Sequence, residues 1–358
     1  METIVVDTKK TSKPFKIYQV LIPIALGLFV IGWLFLDEFD SAVFASFHFT
    51  VVSALFILLA FAFMLMRDFG MMWRFRLFTD KDLSWRQAFH INVLSEFTTA
   101  VTPPAVGGSS LVVIFLVKEG INAGRSTTIM FVNLFLDELF FLVVCPIVFL
   151  FIPLHDLFNS SSTIVSTFAV VFTGLYFSRL IWTAILFIGI FRRPSWIKHI
   201  LLTLFKLPFL RRWYDNVDLL TNNLVQASHD IGNRSYWFWM KAFGMTVLTW
   251  SARFLVVNAI FMAFVPISNH LVIFARQLIL WMVMVVSPTP GGSGISEYAF
   301  KEYYSDIFYS TSAIIFVTLV WRIISYYLYL VLGLIIIPNW IKKSFSKTDP
   351  DTPTGSGD

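Results

Sequence analysis

The chain has 358 residues, of which 57% are hydrophobic and only 14% charged, with a formal net charge of +5 and a mean hydropathy of +0.74. Soluble domains carry about 25% charged residues, so a water-soluble enzyme, a disordered polypeptide and a fibrous repeat are excluded. Loops and open sheet edges cannot face lipid with unpaired backbone groups, which leaves an all-α polytopic membrane protein.

An apolar stretch of about 20 residues crosses about 30 Å of hydrocarbon. Six stretches predict full spans: 17–36, 44–66, 127–153, 163–191, 237–265 and 312–337. The first lacks a small-residue cleavage site and is read as a span rather than a signal peptide. Two further apolar regions, 88–117 and 270–309, are each interrupted by a Pro/Gly cluster. The segment 192–236 reads as an inner loop; its stretch 200–213 is apolar and basic, a composition that suits the interface, although a plain connector is the preferred reading. Residues 347–358 read as a polar disordered tail, and 1–346 as one integral membrane domain. The lone Cys145 has no partner for a disulfide or a thiolate cage and reads as a small buried hydrophobe.

The basic residues set the orientation. Lys9, Lys10, Lys13 and Lys16 precede the first span, and Arg67, Arg74, Arg76, Lys81 and Arg86 follow the second. Lys118 and Arg125 follow the first broken region; the inner loop and the C-terminal tail are also rich in Lys and Arg. The opposite loops, 37–41, 154–162 and 266–270, contain no Lys or Arg. The positive-inside rule then predicts that both termini are cytoplasmic, in a multi-pass protein of the cytoplasmic (inner) membrane. Both ends of 88–117 then lie inside, and both ends of 270–309 outside. The two regions are expected to be re-entrant helical hairpins that dip in from opposite faces.

Their sequences match. The first reads Thr102-Pro103-Pro104-Ala105-Val106-Gly107-Gly108-Ser109-Ser110, and the second Ser287-Pro288-Thr289-Pro290-Gly291-Gly292-Ser293-Gly294. Each lies between two full spans, so about 44–153 and about 237–337 form two units of an inverted repeat. Interrupted hydrophobic segments at matching places in two halves point to a transport site. Pro stops a helix and Gly permits close backbone approach. Ser109 or Ser110, and Ser293, would cap the half-helix that follows. Its N-terminus would present N–H groups and a positive dipole end to an anion.

Charges within apolar segments need a partner or a wet cavity. Glu96, Asp137, Glu138, Arg179, Arg253, Arg276, Glu297 and Arg322 are such residues. Glu297 would sit at the third helical position if Gly294 is the cap, and it is a candidate partner for Arg322. No zinc, Walker A, dinucleotide or nucleophile-elbow motif occurs, and the six histidines show no ligand spacing. Neither a cofactor nor a metal is expected, and nucleic acid is not an expected partner.

The two loops resemble those of the lysylphosphatidylglycerol synthase transmembrane-region family, which includes the flippase half of the multiple peptide resistance factor. The matching residues are Thr102, Pro103, Gly107, Gly108 and Gly120, then Pro290, Gly291, Gly292, Gly294, Glu297, Arg322 and Gly333. The apolar run Leu111-Val112-Val113-Ile114, and Asp137-Glu138 in place of the usual Asp-Arg, depart from the family pattern. The resemblance implies the lipid-translocating part without the soluble aminoacyl-transfer domain, hence no lysyl-lipid synthesis by this chain alone.

Together these readings predict a flippase-like translocator of a phospholipid or polyprenyl-phosphate-linked lipid. The headgroup would be held by Thr102, Pro103, Gly107, Gly108 and Ser109 in one loop and by Thr289, Pro290, Gly291, Gly292, Gly294 and Glu297 in the other. Arg253, Arg276 and Arg322, with Glu96, Asp137 and Glu138, would supply the charges. The alternatives are a secondary transporter of a small anionic solute and an integral membrane lipid-modifying transferase. Membrane lipid is the expected partner; a separately encoded lipid-modifying enzyme and a second copy of the chain are left open.

Overall fold

The computed structural model describes residue 29 and residues 50–103, 109–158, 163–204, 214–265, 267–308 and 310–346. Among these residues, all regular structure is helical. Five helices are long and apolar enough to cross a membrane: Val51–Phe78, Ala123–Phe151, Ala169–Arg192, Tyr236–Phe264 and Thr311–Pro338. They correspond to the second to sixth predicted spans. The first, 17–36, and the tail 347–358 lie outside the described residues.

Helix α1 (Val51–Phe78) opens at Thr50, whose hydroxyl accepts from the amide of Ser53 at 3.1 Å. It does not stop near Met66 as the charge pattern predicted. Arg67 and Arg74, read there as inner-loop residues, lie within the helix and are 1% and 0% exposed. Their charges turn inward to carboxylates instead of outward to water, so they do not end the helix. A short turn leads to α2 (Trp85–Val101), whose start is fixed by a capping box between Ser84 and Gln87.

Helix α3 (Ser109–Lys118) follows the first break, and α4 (Ala123–Phe151) follows α3. After the short α5 (Leu154–Phe158) comes α6 (Thr163–Phe187), which ends in a π turn over Ile188–Arg192. The predicted inner loop is largely helical, forming α7 (Pro194–Leu204) and α8 (Tyr214–Gly232). Part of its apolar, basic stretch, 205–213, lies outside the described residues. Helix α8 packs on α4 so closely that a Cβ on Gly124 would come within 2.8 Å of the Leu224 amide nitrogen.

Helix α9 (Tyr236–Phe264) is followed by α10 (His270–Met284), which ends at the second break. A single 3-10 turn, Pro290–Gly292, precedes α11 (Ile295–Tyr303). The last span is α12 (Thr311–Arg322), a π turn at Ile323–Tyr327 and α13 (Leu328–Ser346). At the second break Gly291, Gly292 and Gly294 have φ of 57°, 70° and 85°, a left-handed conformation that side chains disfavour. At the first break Thr102 is extended, as the residue before a proline should be; residues 104–108, with Gly107 and Gly108, lie outside the described residues.

The two breaks touch. The Gly291 amide donates to the Thr102 carbonyl at 2.9 Å. The Tyr326 hydroxyl donates to the Ala100 carbonyl at 3.0 Å and receives the Ser293 hydroxyl at 3.0 Å. Ser293 is therefore not a helix cap; Gly294 takes that place, and the Glu297 carboxylate accepts from its amide at 2.7 Å.

Helices α1 and α9 approach through small residues, as membrane helices do when close packing drives their association. A Cβ on Gly70 would lie 3.2 Å from the Met245 carbonyl oxygen and would collide with the Thr249 hydroxyl. Gly70→Leu is expected to destabilise the protein by about 1–3 kcal/mol or more through overpacking. Gly244→Ala, where nothing lies within 4 Å, should be neutral. Thermal unfolding of both variants in detergent checks this; equal midpoints would contradict the close α1–α9 contact.

Candidate functional site

Helices α1, α2, α9, α10 and α12–α13 enclose a cavity of about 150 Å³ beside the touching breaks. Its charged lining is Arg67 from α1, Glu96 from α2, Arg253 from α9 and Arg322 from α12. Gly291 and Gly292 form part of the wall, and Trp281, Trp321, Tyr326 and Tyr329 supply aromatic surface.

The charges form two groups. In the first, Glu96 is shared: one guanidinium nitrogen of Arg67 lies 2.7 Å from one of its oxygens, and Arg253 reaches both, at 3.0 and 2.9 Å. Arg67 also lies 3.0 Å from Asp68. Asp68 in turn accepts from the Asn92 amide at 3.0 Å and the Tyr329 hydroxyl at 2.6 Å. In the second group Arg322 Nε donates to Glu297 at 2.7 Å. Glu297 is 0% exposed, and its other oxygen accepts from the Gly294 amide and the Ser296 hydroxyl.

Aromatic faces orient the arginines. Arg67 stands over Tyr329 at 4.7 Å, Arg253 over Trp281 at 4.3 Å and Arg322 over Tyr326 at 4.3 Å. Such stacking suits the planar, weakly hydrated guanidinium. Of the acids in these groups, Glu96 lines the cavity, while Asp68 and Glu297 hold their arginines from behind. Three guanidiniums and one carboxylate thus line the space, and the planar N–H forks of the arginines match the geometry of an acceptor with paired oxygens. The π turn directly after Arg322 accompanies this arrangement, with Ser325, Tyr326 and Tyr329 also on the wall.

The remaining predicted residues are placed as follows. Asp137 accepts from Arg74 at 2.6 Å and from the Trp250 ring nitrogen at 3.0 Å. Glu138 pairs with Arg179 at 2.6 Å. Arg276 grips Asp306 through both oxygens, at 2.5 and 2.7 Å, and donates to the Tyr303 and Asp156 carbonyls. None of these three predicted residues lines the cavity. The Thr289 hydroxyl is bonded to that of Ser287 at 3.0 Å, Pro290 opens the 3-10 turn, and the Thr102 hydroxyl donates to the Thr98 carbonyl. Pro103 closes the described part of the first break, and Ser109 begins α3.

Sequence reasoning did not single out Arg67, Asp68, Trp281, Tyr326 or Tyr329. Arg67 carried a usable signal: it adjoins Asp68 at the end of an apolar run, an opposite-charge pair that a continuing helix could keep in the membrane. Tyr326 and Tyr327, about one turn after Arg322, and Tyr329, about two turns after it, are a second signal, since phenols inside a membrane need hydrogen-bond partners.

Residues 20–333 match the family described as the lysylphosphatidylglycerol synthase TM region. The chain is also 26% identical over 303 residues to a UPF0104 membrane protein of Archaeoglobus fulgidus, a match that covers 81% of this chain and 89% of the relative. No solved structure matches.

Glu297 and Arg322 depend on one another, because a single deletion strands a charge in a buried site. Each of Glu297→Leu and Arg322→Leu should cost about 3–5 kcal/mol, and the double variant clearly less than their sum. A double-mutant cycle on unfolding in detergent measures this. Additive losses would contradict the pairing.

Proposed function

The chain belongs to the lysylphosphatidylglycerol synthase TM-region family, a membrane protein family linked to lipid handling, and from that premise we propose that it is a lipid translocator. It moves a lipid with an anionic phosphate headgroup between leaflets, and the headgroup passes through the cavity lined by Arg67, Arg253 and Arg322. The observation that carries the reading is the convergence of three guanidiniums, those of Arg67 and Arg322 buried and that of Arg253 partly buried, on one space where two helix breaks meet. Buried cations are expensive in a membrane and are kept where they serve a pathway or a ligand.

The cavity supports a headgroup rather than a whole lipid. At about 150 Å³ it is smaller than the roughly 300 Å³ at which pockets for complete small ligands begin. Apolar surface lies beside it: Val285 is on the wall, while Val286 is 59% exposed and Ile295 and Tyr298 are also exposed. Acyl chains that stay in the bilayer would run along such a rim while the phosphate is held inside. The cavity size also suits a small free anion, which is the second reading; the apolar rim favours a lipid.

In this proposal the two breaks are the tips of re-entrant hairpins. Units 44–153 and 237–337 form an inverted repeat within one domain, 1–346, of a multi-pass inner-membrane protein with cytoplasmic termini. The support is the matched Pro/Gly loops, the hydrogen bond between them and the distribution of basic residues. Cysteines introduced beside Lys118 should react only from the cytoplasmic side, and those beside residue 266 only from the other. The reverse pattern would sink the repeat.

In proteoliposomes, a fluorescent phosphatidylglycerol should cross between leaflets, followed by chemical quenching of the outer leaflet. Arg253→Gln should slow this at least tenfold while the protein still folds, because Arg253 has no second carboxylate to hold. A wild-type rate equal to that of protein-free vesicles would overturn the proposal.

A further inference from the structure

The charges around the cavity are balanced before any ligand arrives. Arg67, Arg253 and Arg322 are matched by Asp68, Glu96 and Glu297. A monoanion that enters this neutral cluster brings one uncompensated negative charge into a low-dielectric site. Such a charge is disfavoured unless a cation accompanies it. The smallest cation that needs no site of its own is a proton, and it needs only a carboxylate able to take it.

Resting on the reading of the cavity as an anionic headgroup site, we propose that the protein couples anion movement to a proton, carried on Glu96. Three observations select Glu96 from the acids of the cluster. It lines the cavity, whereas Asp68 and Glu297 do not. Its contacts come from Arg67 and Arg253, the two guanidiniums that an incoming phosphate would claim. Asp68 keeps Tyr329 and Asn92 as donors, and Glu297 keeps the Gly294 amide and the Ser296 hydroxyl, even if an arginine is drawn away. Arg67 also has a ready point of attachment, since its Nη1 is buried with no hydrogen-bond partner.

The exchange balances. The anion takes the guanidinium hydrogen bonds that Glu96 held, Glu96 binds one proton, and the cluster stays neutral. A protonated Glu96 becomes a donor and can give its O–H to the anion beside it. The charged and titratable groups facing it are Arg67 and Asp68 from α1, Arg253 from α9, and Arg322, Tyr326 and Tyr329 from α12–α13. Helix α10 faces it with Gln277 and Trp281, neither of which titrates.

The test uses proteoliposomes that hold fluorescent phosphatidylglycerol in the membrane and a pH-reporting dye in the lumen. The phosphodiester stays anionic between about pH 6 and about pH 8, so its own titration does not intervene. With wild-type protein an acidic exterior should drive labelled lipid to the inner leaflet and acidify the lumen as it does so. At symmetric pH, apparent lipid affinity should weaken by about tenfold per pH unit at the alkaline end. In Glu96→Gln, a neutral stand-in for the protonated acid, the lipid movement that remains should respond to neither gradient nor pH. Wild-type lipid movement indifferent to the gradient overturns the coupling and leaves the translocator reading in place. No lipid movement at any pH overturns both. A gradient response that survives in Glu96→Gln overturns the assignment to that residue, and the wild-type experiment stands even if this variant does not fold.

Discussion

A guanidinium buried in a membrane must meet a carboxylate, and much of this structure follows from that constraint. Arg74 on α1 meets Asp137 on α4, Arg179 on α6 meets Glu138 on α4, and Arg253 on α9 meets Glu96 on α2. Arg276 on α10 meets Asp306 beyond α11, and Arg322 on α12 meets Glu297 on α11. Each pair names two elements that must be neighbours. Apolar packing in lipid is weakly directional, because lipid tails are as apolar as leucine. The ion pairs, with the aromatic faces beneath several of them, supply the direction.

Most of those pairs are self-contained. Arg276 has a bidentate acid and two backbone carbonyls, and Arg74 shares its acid with a tryptophan ring. Glu96 differs, because one carboxylate serves two arginines at the edge of a cavity. The chain can form a cavity there because its helices stop twice at the same place. Left-handed glycines turn the second break so tightly that a Cβ on Gly291 would lie 2.8 Å from the Ala100 carbonyl of the first. Tyr326, brought in by the π turn, bonds to both breaks. Pro, Gly and the π turn thus remove helix where the site needs room, and the arginines fill the edge of that room with positive charge.

Much of the fold was legible in the sequence. Length and hydropathy mark the five described spans, and Pro/Gly clusters mark both breaks, because these features depend on local chain chemistry. The end of α1 was not legible, since Arg67 and Arg74 look like topogenic loop charges until a carboxylate on another helix is in view. The same holds for Asp137, Glu138 and Arg276. Sequence marks them as intramembrane charges, but only distance shows that their partners lie away from the cavity. Gly291, Gly292, Glu96, Arg253 and Arg322 do come together there, although they are spread over more than two hundred positions in the chain. The inner segment 192–236 looked like a loop because its polar residues outweigh its apolar ones locally; its helices are amphipathic, and α8 is held by packing on α4.

The central claim is that Arg67, Arg253 and Arg322 receive an anionic headgroup. Mass spectrometry of the lipids that co-purify with the protein, compared with bulk membrane and with an Arg67→Gln/Arg253→Gln variant, tests it most directly. The account predicts one anionic lipid class enriched with the wild type and lost with the folded variant. The same lipid profile in both, matching the bulk membrane, would contradict it.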